Sequence, residues 1–235
     1  MSSVNAFNTG KSALFASRAA LTTTGHNIAN VNTEGYSRQR VEQESATPQK
    51  LGNSVYGTGV KISGVKRIND EYLTRQVANE TKFMGSYEEK DVALAQADSI
   101  FNELNNEGLN RLLAKFFNEF RKLGNEPESE ALRATVKEST DHLTGDFHRI
   151  SRSIIDIQKN IDVRIDSNVR EVNELVDRLA HLNHEIQKLE LGGHGDTGDL
   201  RDKRDLAVKK LSSVIDVSVA TNERGQMTIS LAGIG

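Results

Sequence analysis

Between Ser129 and Leu191 the chain carries an apolar stripe at helical spacing that no proline breaks, and this feature limits the fold more than any other. Leu143, Phe147, Ile150, Ile154, Ile157 and Ile161 alternate steps of four and three residues. Ile165 follows after a second step of four, and the pattern resumes through Val172, Leu175, Leu179, Leu182, Ile186 and Leu189. Steps of three and four keep side chains on one face of a helix. Two fours in succession make a stutter, which locally unwinds a left-handed supercoil. At about 1.5 Å per residue such a helix would run on the order of 90 Å, a length that belongs to an elongated bundle. Composition agrees: only 36% of the 235 residues are hydrophobic, with 8 Phe, 4 Tyr and no Trp, which suits helices that bury narrow stripes.

Further helices flank this rod. From about Asp70, Leu73, Val77, Met84, Tyr87, Leu94, Phe101 and Leu104 form a looser stripe, with a break expected at Asn105–Gly108. Leu109, Leu112, Leu113, Phe116, Phe117, Phe120 and Leu123 then give the densest apolar face of the chain, which marks that helix as the expected core anchor. Gly124-Asn125-Glu126-Pro127 ends it and starts the rod. After the rod, Gly192–Gly198 reads as a hinge, about Asp199 to Ser212 as a short helix, and Val214–Ala220 with Gln226–Leu231 as a hairpin around Asn222–Gly225.

At the other end, Phe7, Leu14, Leu21 and Ile28 recur at every seventh position, with Gly10, Ser17 and Thr24 between them. Large residues alternating with small ones let a neighbouring helix approach closely. The surroundings are Ala, Ser, Thr and Asn, so the helix is weak alone and needs a partner. It is expected to stop around Asn30 to Gly35, where asparagines bond to backbone and glycine permits a turn. From Tyr36 to Lys66, Pro48 and Gly52, Gly57, Gly59 and Gly64 punctuate short β-like pieces, Arg40–Glu42 and Val60–Val65. The stretch reads as an extended connector with little core of its own.

The expected fold is therefore mainly α: an elongated antiparallel helical bundle or coiled coil, with an extended β-like connector and a C-terminal β-hairpin. Its expected segments are 1–34, a packing helix; 35–69, the connector; 70–213, the helical rod and bundle; and 214–235, the hairpin that begins a truncated remainder.

Several function classes are set aside. With 30 basic and 33 acidic residues the chain has no footprint for nucleic acid or for an anionic membrane surface. It has no cysteine, hence no disulfide, thiolate metal site or Cys nucleophile. No apolar run approaches the roughly 20 residues that span a bilayer, and no basic stretch precedes an apolar block as in a cleaved signal. Gly193-His194-Gly195-Asp196-Thr197-Gly198 matches G-x-G-x-x-G, but a helix precedes it where dinucleotide binding needs a strand. Gly10-Lys11-Ser12 lacks the first glycine of a phosphate-binding loop, since Asn5 stands there. His181 and His184, with Glu185, lie off the rod's seam and read as solvated surface, not as metal ligands. Asp199 to Lys210 alternates acids and bases, which reads as a solvated, ion-paired face. No converging carboxylates, catalytic constellation or cofactor cradle is found, so an enzyme is not expected.

The run Gly25-His26-Asn27-Ile28-Ala29-Asn30-Val31-Asn32-Thr33-Glu34-Gly35-Tyr36-Ser37-Arg38-Gln39-Arg40 resembles the N-terminal signature of bacterial flagellar axial proteins, the rod, hook and hook-associated subunits. Tyr56–Val60, Arg67–Leu73, Gly108–Leu113 with Phe116–Asn118, and Asp199–Asp205 look like the hook-associated protein 1 family within that group. The resemblance runs from Ser2 to the hairpin. It implies a subunit of the hook–filament junction, extracellular, exported unfolded by the flagellar type III machinery without signal cleavage. The implied partners are copies of itself in a ring, the hook protein and the next hook-associated protein. It also implies that Phe7, Leu14, Leu21, Ile28 and Val31 pack along the flagellar axis against a C-terminal helix. Asn27, Asn30, Asn32, Thr33, Gly35 and Tyr36 form the signature turn that leaves that helix.

Family members continue through a β-rich outer domain to that C-terminal helix, and neither lies within these 235 residues. The first helix is therefore expected to be disordered or borrowed in the isolated chain, and an export-chaperone contact, which the family makes near its C-terminus, is not expected of it. The alternatives are another axial subunit of hook or rod, which usually lacks a long central rod, or a secreted coiled-coil adaptor or effector, in which the signature has no role.

Overall fold

The computed structural model describes residues 2–51, 53–101, 108–192, 197–222 and 226–231. Along the chain run α1 (Ser2–Ala29), β1 (Gln39–Ser45), β2 (Gln49–Leu51), β3 (Ser54–Tyr56), β4 (Val60–Arg67), α2 (Glu71–Phe101), α3 (Leu109–Asn125), α4 (Glu130–Leu191), α5 (Gly198–Val214), β5 (Val217–Thr221) and β6 (Met227–Leu231). The fold is mainly α, as periodicity predicted, and α4 is a single helix of 62 residues. Its start is set by Ser129, whose Oγ accepts the Leu132 N–H at 3.4 Å. Asp70 caps α2 in the same way, accepting from the Tyr72 and Leu73 amides at 2.9 and 3.2 Å.

The connector is more regular than its glycines suggested. β1 and β4 pair antiparallel from Gln39↔Arg67 to Ser45↔Val60, with a bulge at Glu42/Gln43. β2 and β3 pair antiparallel between them. β5 and β6 form the C-terminal hairpin in register Val217↔Leu231 to Thr221↔Met227. The expected break at Asn105–Gly108 and the tip at Asn222–Gly225 lie largely outside the described residues, as does most of the hinge at Gly192–Gly198.

Two compact units divide the chain, residues 1–84 with 171–235, and residues 85–170. The first contains the core: Leu175 and Leu179 of α4, Ala207, Val208 and Leu211 of α5, and Val217 of β5, flanked by Ile215, Val219, Met227 and Ile229. In the second, Leu112, Leu143 and Ile150 are buried, and Arg164 of α4 pairs with Glu89 of α2. This corrects the reading of α3 as the core anchor: its Phe117 and Phe120 are 60% and 57% exposed. Density of apolar residues fixes which face of a helix is hydrophobic, not whether a neighbour covers it.

Candidate assembly site

Helix α1 has two faces of opposite character. Thr9, Ser12, Ala16, Ala19, Thr23 and Asn27 form the covered one, spaced by three and four residues. Ala16 is fully buried there, the Ser12 Oγ accepts the Val60 N–H of β4 at 3.3 Å and donates to the Thr9 carbonyl at 2.8 Å. Small side chains allow this approach. Gly59, at φ +106°, passes so close that a Cβ on it would lie 2.2 Å from the Ser12 Oγ. Phe7, Leu14, Leu21 and Ile28 fall about half a turn away at ~100° per residue, and they are 72%, 73%, 74% and 69% exposed. Val31, just past the helix end, is equally bare. The sequence-derived packing residues are thus brought onto one open face, with Val31 at its end.

The signature turn is built by side-chain bonds to backbone. Asn27 makes two of these and one to a side chain: its Nδ2 donates to the Gln39 carbonyl at 2.8 Å, and its Oδ1 accepts the Gln39 N–H at 2.8 Å and the Tyr36 hydroxyl at 2.7 Å. It therefore ties the last turn of α1 to the start of β1. Asn30 donates to the His26 carbonyl at 3.0 Å, capping the helix end, and accepts from Thr33 at 3.1 Å. Gly35 takes φ +78° beside Leu206, where a side chain would be strained. The Tyr36 ring meets His26 edge-on at 5.5 Å. Burial, reinforced by the Asp199 and Asp202 carboxylates, pushes the Tyr36 phenol above its ordinary pKa. Asn32 is exposed and stands apart from this network.

Sequence reasoning missed what the turn rests on. Asp199, Asp202 and Asp205 stand three residues apart on one face of α5. Asp199 accepts from the Gln39 side chain at 2.7 Å and lies 3.3 Å from the His26 Nε2. Asp202 accepts the Ser37 N–H at 2.7 Å and the Arg67 Nη1 at 2.9 Å. Asp205 takes the other arm of Arg67 at 2.8 Å. This stretch is therefore not the solvated face its mixed charges suggested: Asp202 and Arg204 are 5% and 2% exposed. Burial pushes the Arg204 guanidinium below its ordinary pKa, against the opposing pull of Asp205. The spacing of the three aspartates was the available signal.

The other tempting motifs fall elsewhere. His181 and His184 are exposed, and His181 pairs with Glu185 at 3.3 Å. Gly193 to Asp196 lie outside the described residues, and the element before them is α4, a helix. Lys11 and Ser12 sit within α1, and among the described residues no strand precedes them. No described helix is long and apolar enough to cross a membrane.

Residues 94–234 match the flagellar hook-associated protein FlgK helical domain, and residues 7–36 match the flagella basal body rod protein family. The chain is 36% identical over 232 residues to flagellar hook-associated protein 1 of Bacillus subtilis (strain 168), covering 95% of this chain and 45% of that protein. It is 27% identical over 226 residues to the protein of the same name from Salmonella typhimurium, covering 96% of this chain and 41% of the relative. With that of Escherichia coli (strain K12) the identity is 28% over 230 residues, again 96% of this chain and 41% of the relative. The chain thus spans less than half the length of these relatives. With the stretch from the end of α2 through the C-terminal hairpin matched by the helical domain, its opening helix and turn matched by the rod-protein family, and nearly its whole length aligned with these relatives, the chain belongs to the flagellar hook-associated protein FlgK family.

Proposed function

We propose that this chain is a structural subunit of the bacterial flagellum at the hook–filament junction, outside the cell, and not an enzyme. It joins the flagellum by packing α1 along the axis, with Phe7, Leu14, Leu21, Ile28 and Val31 as the contacting residues. Asn27, Asn30, Asn32, Thr33, Gly35 and Tyr36 form the turn from that helix into the connector. Its partners are further copies of itself in a ring, the hook protein, the next hook-associated protein and the type III export machinery. Residues 1–34 serve as the axial segment and 70–213 as the helical body.

One observation carries the reading: α1 is held by its small-residue face while its large apolar residues stand open at 69–74% exposure. Such a stripe on a lone chain is costly to leave in water, since each large side chain gains roughly 1.5–3 kcal/mol on burial. Before assembly, α1 has cover on one side only. The match to rod proteins is confined to residues 7–36, whereas the helical-domain match spans 94–234, which favours the junction over the rod.

Deleting the gene tests this. Completed hooks without filaments, with flagellin lost to the medium, are expected; normal filaments would overturn the proposal.

A further inference from the structure

We infer that Asp202 is a positioning residue: through Ser37 and Arg67 it fixes the direction in which α1 leaves the core formed by α4, α5 and the hairpin. The inference concerns the joint itself, and relies on the packing role of α1 only for its consequence in assembly.

Helix α1 and the β1–β4 pair form one arm. Asn27 fastens the helix end to Gln39, and Ser12 with Gly59 brings the other end of β4 against the helix. The arm meets α5 through directional polar bonds, and Gly35 approaches Leu206 closely among them. Asp202 is central to that set. One of its oxygens takes the backbone N–H of Ser37, in the segment between α1 and β1, and the other takes Arg67, the last residue of β4. Arg67 reaches on to Asp205, and the side chains of Arg67, Asp202 and Asp205 are 11%, 6% and 13% exposed.

A desolvated carboxylate between a backbone amide and a forked guanidinium has one good geometry. Apolar contacts alone permit sliding. Buried ion pairs add little net stability, because desolvation offsets attraction, and their better-attested use is to specify one arrangement. Here that arrangement is the angle of the arm.

The sequence has no cysteine, so paired spin labels can be placed cleanly in the full chain. Arg18→Cys on α1 with Lys209→Cys on α5 reports the arm; Arg178→Cys on α4 with Lys209→Cys reports the core. Asp202→Ala is expected to replace one narrow arm–core distance peak by a broad distribution, and to leave the core pair narrow. Asp202→Asn, with a single acceptor oxygen, should fall between the two. Arg67→Ala reaches the same joint without altering α5 and should loosen the arm likewise. An unchanged arm distribution in both Asp202→Ala and Arg67→Ala would overturn the inference. So would equal broadening of the core pair, which would make Asp202 part of general core stability. Wild-type swimming by cells whose arm is loosened would leave the joint standing and count against the packing role of α1.

Discussion

Gly59 takes φ +106° against α1, where a methyl group would stand 2.2 Å from the Ser12 Oγ and 3.3 Å from the Thr9 Cα. Both backbone conformation and space oppose a side chain there. Gly59→Ala is expected to cost about 1–3 kcal/mol, read as a lower melting temperature. Glu190 makes the pH prediction. Burial raises its pKa, but hydrogen bonds from Thr197 at 2.7 Å and Arg201 at 2.6 Å outweigh burial and hold the carboxyl below its ordinary 4.5. The stabilisation from such a depressed group is complete above the unfolded value and disappears as pH falls through the folded one. Glu190→Gln should therefore lower stability at neutral pH and flatten its decline below about pH 4.5, measured by denaturant unfolding across pH. At this scale the sequence was partly legible. Asn27, Asn30 and Gly35 stood out because turns demand such residues, and Tyr36 through the family resemblance alone. Arg67 and Asp202 did not, because 135 residues separate them and charge alternation along a helix says nothing of what docks on it.

Elements were read more successfully than their burial. The steps of three and four along α4 specify a helix whatever it packs against, and α4 runs to Leu191 as expected. The hairpin strands begin within a few residues of their expected positions. What periodicity left open was which stretch of stripe is covered. On α4, Leu175, Leu179, Leu182 and Ile186 are buried, yet Ile154 and Ile165, either side of the stutter, are 47% and 55% exposed. Helix α5 shows the reverse: it reads as charged, but its Ala207, Val208 and Leu211 complete the core. Leu211 is 0% exposed, so Leu211→Ala should cost about 2–5 kcal/mol from lost transfer energy and the cavity left behind. Calorimetry or denaturant melts would measure it. A loss comparable to a surface change would place the core elsewhere.

For the whole molecule, the proposed assembly role rests on the division of α1 into a face covered within this chain and a face left open. The large residues of that stripe were evident from sequence because they recur at every seventh position. Their opposite face was not, since Thr9, Ser12 and Ala16 carry no hydrophobic signal and are chosen for how closely β4 approaches. Acidic substitutions on the open stripe should therefore spare the monomer and break the polymer. In cells carrying Leu14→Asp with Leu21→Asp, the protein should be made, exported and unchanged in helical circular dichroism and melting. Filaments should be missing, with flagellin released to the medium. Filaments of normal length on those cells would contradict the account.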